Sequence, residues 1–207
     1  MFNERIEFDD MTEDSLLLAT IRMNIEFALV SVRSIIHFAE YDRTAYGNDY
    51  VYHFFHLQSL LTACGNITSA FFMPRAFSTV NRMTGRYDSE LYRKNKDAAI
   101  CFREKYGVTK DRYDLVFRKE MRNTVIHSNE RIIEHRGRLG DFNIIDQSTP
   151  KSDVREILRT PHLRTIDLHN MVFYTYDRWK RRVEVNLFDL ERQLVDLQNA
   201  MGRAFEQ

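Results

Sequence analysis

DYVYHFFHLQSLLTACGNITSAFF, residues 49–72, constrains the fold more than any other stretch of this chain. Read as a helix it is apolar on most of its sides, and such a helix is stable in water only when other elements cover it. It therefore belongs in the middle of a helical bundle or in a subunit interface, and Pro74 ends it.

The neighbours it needs are legible. Before it, Leu18, Ile21, Ile25, Leu29, Val32 and Ile36 recur at helical spacing, which predicts a helix from about Thr12 to Glu40 with Thr12 as N-cap. After a polar loop at 75–88, a third helix is expected from about Ser89 to Tyr106, with Gly107 as its C-cap. A fourth should begin at Thr109, whose hydroxyl can cap it, and run to Glu134 or His135 with an apolar stripe of Phe117, Met121, Val125 and Ile132.

Beyond Gly140 the pattern changes. Two of the 3 prolines fall in 141–165, which predicts an irregular excursion. HNMVFYTYDR from His169 and VEV from Val183 to Val185 can pair as a small β-hairpin. Asn186 then caps a last helix with Leu187, Leu190, Leu194, Leu197 and Met201 on one face. The expected architecture is all-α. About four long helices form a bundle over 12–137, and a β appendage with a final helix occupies 141–207, all within one domain.

Composition fits one globular domain. The 207 residues are 43% hydrophobic and 29% charged, with 2 cysteines, too few for a disulfide framework. The acidic start (Glu4, Glu7, Asp9, Asp10) does not look like a secretory signal, and no stretch is an uninterrupted apolar span, so a cytoplasmic location without a membrane is expected. The formal net charge is 0 yet unevenly spread: residues 1–74 are acidic and 75–138 basic. A basic third can hold a polyanion locally. It can equally pair with the acidic third inside the fold.

Within that basic third lies RKEMRNTVIHSNERI, 118–132. On a helix Asn123 and His127, four apart, share a face, and the long side chain of Arg122 can reach toward them. Glu120, Asn123, His127, Glu130 and Glu134 form a polar stripe flanked by Arg118, Lys119, Arg122 and Arg131. Spacing alone decides nothing, because RTIDLH repeats it from Arg164 to His169 outside any convincing helix.

Arg122-Asn123-x3-His127, late in a long helix that follows two others, resembles the motif of the HEPN superfamily. That family carries an Arg and a His separated by four to six residues, often with Asn directly after the Arg. HSNERI and HLQSLLTACGNITSAF are also similar to prokaryotic members, and the resemblance covers roughly residues 12–137. It implies a metal-independent endoribonuclease, of toxin or phage-defence type, acting as a homodimer with a composite site. It also implies RNA as partner, an antitoxin or regulatory protein as a further one, and no cofactor. The residue chemistry suits that role. His127 titrates nearest neutral pH and serves as acid or base, Arg122 offers a permanent fork of donors to phosphate, and Asn123 orients either. Arg118, Lys119 and Arg131 would position the substrate. The alternative is a non-catalytic module binding RNA, a nucleotide or a partner protein.

Other clusters are weaker. His53 and His56, three apart on a helix, have no further ligand beside them and read as core or interface residues. Phe173, Tyr174, Tyr176 and Trp179 near Arg178 and Arg181 offer faces for unpaired bases, though a strand packed on the bundle accounts for them more simply.

Overall fold

The computed structural model describes residues 13–41, 49–72, 88–126, 140–145, 151–159, 162–177 and 181–203. Its first two helices, α1 (Glu13–Tyr41) and α2 (Asp49–Phe72), form the expected antiparallel pair. At one end the amide of Asn66 donates to Asn24 Oδ1 at 2.9 Å, and at the other the rings of Phe38 and Tyr52 stack at 4.6 Å. Between these ends Ile25, Leu29, Val32 and Ile35 of α1 are buried with Leu57, Leu60, Leu61 and Ile67 of α2.

Helix α3 (Ser89–Lys105) stops as the sequence predicts. Gly107 takes a φ of 61°, its N–H donates to the Glu104 carbonyl at 3.1 Å, and the N–H of Val108 reaches the Arg103 carbonyl at 2.9 Å. These two bonds constitute a Schellman motif, and the accompanying contact is supplied by Val108 and Phe102, both in the core. Arg103 also donates to the Phe71 carbonyl at 2.6 Å, satisfying an end group of α2.

The fourth helix differs from expectation. Thr109 Oγ1 does accept the Arg112 N–H at 3.3 Å, as a cap would, but 110–117 form successive turns and regular helix begins only with α4 (Lys119–Ile126). The reason lies in a distant side chain. Gln193 Oε1 accepts the N–H groups of Leu115 and Val116 at 3.0 and 3.4 Å, while its Nε2 donates to Asp114 at 2.7 Å. Amides bound to a glutamine are not bound to the carbonyl four residues back. The rest of the predicted helix, from His127, lies outside the described residues.

The larger correction concerns the sheet. In place of an all-α bundle with a small hairpin, the chain carries a four-stranded mixed sheet in the order β1 (Gly140–Ile145), β2 (His162–Asp167), β3 (Val172–Tyr176), β4 (Arg182–Asn186). The expected hairpin is present as β3–β4, antiparallel, with Phe173 opposite Val185. The supposed irregular excursion supplies the other half. Strand β1 lies parallel to β2, and the connection between them includes a short helix, α5 (Lys151–Arg159). A parallel pair requires such a crossover.

Register places Ile144, Ile166, Phe173 and Val185 side by side across all four strands. This row packs on the helices, where Ile166, Phe173 and Val185 join the same hydrophobic core as α1, α2 and the last helix, α6 (Leu187–Arg203). Asn186 caps α6 as predicted, its Oδ1 accepting the Asp189 N–H at 3.1 Å. Leu187, Leu190, Leu194, Leu197 and Met201 are all fully buried along its inner face.

Within α1, Ser15–Phe38 is apolar and long enough to cross a membrane by composition. It is nevertheless built into the bundle. Arg22 donates to the Met201 carbonyl at 2.9 Å, Arg33 pairs with Glu191 at 2.7 Å, and Gln198 bonds Glu26, so its charged positions hold α6.

Candidate functional site

Helix α4 is fixed from one side. Met121, 1% exposed, is its inward residue, and Phe117, just before it, packs its ring on Phe71 and Phe72 of α2 at 5.7 and 4.7 Å. Thr68 of α2 donates its hydroxyl toward the carbonyls of Cys64 and Val116, at 2.8 and 3.3 Å. Residues two apart on a helix stand about 200° round from each other, so Asn123 points away from Met121 and is only partly covered.

The backbone of Arg122 belongs to α4, while its side chain, His127 and Arg131 lie outside the described residues. Lys119 is exposed at the start of the helix. Lys119 and Asn123, four apart, share the open face.

Arg118 does something the sequence did not announce. One guanidinium nitrogen donates to the Glu184 carbonyl of β4 at 2.7 Å and another pairs with Asp114 at 3.3 Å. It therefore ties the start of α4 to the sheet, with part of its fork still open to solvent.

Arg182, which sequence reasoning passed over, joins this neighbourhood. It pairs with Glu184 at 2.9 Å and lies 5.2 Å from the centre of the Tyr174 ring. Glu184 thus links Arg118, through its carbonyl, to Arg182, through its carboxylate. No local pattern could reveal this link, because β4 reaches α4 only through the sheet.

The second Arg-x4-His spacing is structural. Arg164 is buried in β2, donates to Gln58 at 2.5 Å, and lies over the Phe54 ring at 4.7 Å. His169 is exposed in the turn after β2, where Asp167 Oδ1 accepts its N–H at 3.0 Å. Phe173 is fully buried, as expected for a strand on the bundle, and Trp179 lies outside the described residues.

His53 is buried edge-on to Phe38 at 4.8 Å, a core position. His56 is half-buried against the Tyr52 ring at 4.4 Å, and burial pushes its pKa below the ordinary 6.5. Among the described residues no group of three His, Cys, Asp or Glu side chains could hold a metal ion.

His56 also lines the largest feature missed at first reading, a groove of about 940 Å³ between the outer faces of α1 and α2. Met23, Phe27 and Val30 on α1 and Val51 and Phe55 on α2 border it, each between 51% and 62% exposed. The signal was in the sequence, since α2 is apolar on more sides than one neighbouring helix can cover.

Comparison of the chain with protein-family models, with curated proteins and with solved structures finds no match.

Proposed function

We propose that this chain is a HEPN-like endoribonuclease that cleaves RNA without a metal ion, acts as a homodimer, and is of toxin or phage-defence type. The observation that carries the reading is the Arg122-Asn123-x3-His127 motif in and directly after α4, a helix whose Met121 side is sealed in the core and whose Asn123 side is open.

The chemistry needs three things. A base removes the proton from a ribose 2′-hydroxyl, an acid protonates the departing 5′-oxygen, and a cation stabilises the charge on phosphorus between them. His127 and its counterpart from the second copy fill the acid and base roles. Arg122 provides the cation, and Asn123 orients the imidazole or the phosphate. The 2′-oxygen bonds to phosphorus as the bond to the 5′-oxygen breaks, leaving a 2′,3′-cyclic phosphate and a 5′-hydroxyl. Lys119 and Arg131 hold flanking phosphates. Arg118 contributes chiefly by holding α4 to β4.

The test is cleavage of tRNA, rRNA and mRNA in EDTA. His127→Ala should lower the rate about 10²- to 10⁴-fold and Arg122→Ala about 10²- to 10³-fold. His169→Ala, on the exposed turn, should leave it unchanged. Intact RNA with a well-folded wild-type chain would favour a non-catalytic binding module instead.

A further inference from the structure

The groove between α1 and α2 has no role in the bundle's own packing, yet it is built like an interface. We propose that a second copy of this chain docks there, α1 of each copy lying over α2 of the other about a two-fold axis parallel to the helices. This deepens the two-copy reading given above and rests on it for its meaning in catalysis, but not on RNA cleavage itself.

Three observations point to a second copy as the occupant. The first is area. Five large side chains more than half exposed, with Leu16 at 45%, leave on the order of 600 Å² of apolar surface. That is the upper end of what a monomer tolerates and close to the about 800 Å² per partner of a standard interface.

The second is charge. The groove is lined by Thr20, Asn24, Ser31, Gln58, Ser59 and similar neutral residues beside the apolar ones, without an Asp, Glu, Lys or Arg. At a two-fold contact each residue near the axis meets its own counterpart region, so a central charge would face its like. A surface without charges suits self-association. A basic or acidic partner would be met by complementary charges here, and none is present.

The third is shape. The contacts of Asn24 with Asn66 and of Phe38 with Tyr52 fix the antiparallel register, in which Phe27 stands level with Thr62 and Ala63, and Ser31 with Ser59. The bulky row on α1 therefore runs beside a hollow row of Ser59, Thr62 and Ala63 on α2. A two-fold along the helices superposes the row of one copy on the hollow of the other, the self-complementarity an isologous contact demands.

Sedimentation equilibrium of the purified chain tests this, with circular dichroism and thermal melts to establish folding. Wild type should give twice 24.8 kDa. Phe27→Glu and Phe55→Glu, each on an exposed face, should remain folded and sediment near the single-chain mass, the dissociation constant rising at least about 100-fold. The milder Phe27→Ser should weaken pairing in the same direction. Phe188→Glu, an exposed apolar position on α6, should leave the dimer intact.

A monomeric wild type overturns the proposal, as does a dimer untouched by the groove substitutions. Stoichiometric co-purification of a different polypeptide, or binding of wild type to neutral phospholipid vesicles, abolished by Phe27→Glu, overturns it too and gives the groove another occupant. RNA cleavage is scored separately: a dimer broken by Phe27→Glu but inactive on RNA upholds this interface while the ribonuclease reading fails.

Discussion

Two thiols of identical chemistry meet opposite environments here. Cys64 is buried in α2, where burial pushes its pKa up to about 12, while Cys101 is exposed on α3. The thiolate is the reactive form, so Cys64 is protected twice, by access and by protonation. Iodoacetamide should modify one equivalent in the native chain at pH 8 and two in denaturant, and Cys101→Ser should abolish the native reaction. Intact-mass measurement reads the result. At this scale the sequence spoke clearly wherever a residue acts on its own neighbours. Gly107 and Asn186 cap the helices they were expected to cap because their bonds span only a few residues. It was silent on Arg118 and Arg182, whose shared partner Glu184 is 66 residues from Arg118. The side chains of Arg122 and His127 remain expectations from the motif, and the cleavage assay addresses them directly.

Elements were legible in proportion to how much of their stabilisation is local. Helices α1, α2, α3 and α6 show long apolar stripes and appear within a residue or two of their expected ends. The β3–β4 hairpin was visible because its alternation and its turn are adjacent in sequence. Strands β1 and β2 were not, since each is made a strand by pairing with the other across a crossover, and prolines at 150 and 161 obscured the pattern. Helix α5 did carry a signal, Val154, Ile157 and Leu158 at helical spacing, but nine residues with no fully buried side chain give little to read. The caps offer a quantitative check. Gly107→Ala meets no steric neighbour, so its cost is that of forcing a Cβ into the left-handed region, about 1–2 kcal/mol. Asn186→Ala removes the hydrogen bond to the Asp189 amide and should cost about 1 kcal/mol. Urea unfolding should show both losses in the midpoint with the slope unchanged.

For the whole molecule, pH is a probe of the same groove. The pKa of His56 is depressed in the folded chain by burial, so the unfolded chain takes up its proton first as pH falls. The stability associated with neutral His56 is present above its ordinary 6.5 and is lost as the pH drops through the folded value. Melting temperature should therefore decline below about pH 6.5, with a shallower slope in His56→Gln. The uneven charge of the chain was plain in its sequence, but its resolution was not: Arg112 is held by Asp196 of α6 at 2.9 Å, and Arg33 of α1 by Glu191, rather than each third simply neutralising the next. The bracing of α1 by α6 has a temporal side. Arg22 and Met201, which touch, are 179 residues apart, and Arg33 and Glu191 are 158 apart. Closing so long a loop is entropically costly and slow. During synthesis α1 must therefore wait, one flank bare, until nearly all the rest of the fold has been translated. A nascent chain of this protein is thus a natural client for chaperones that shield an apolar helix near its beginning.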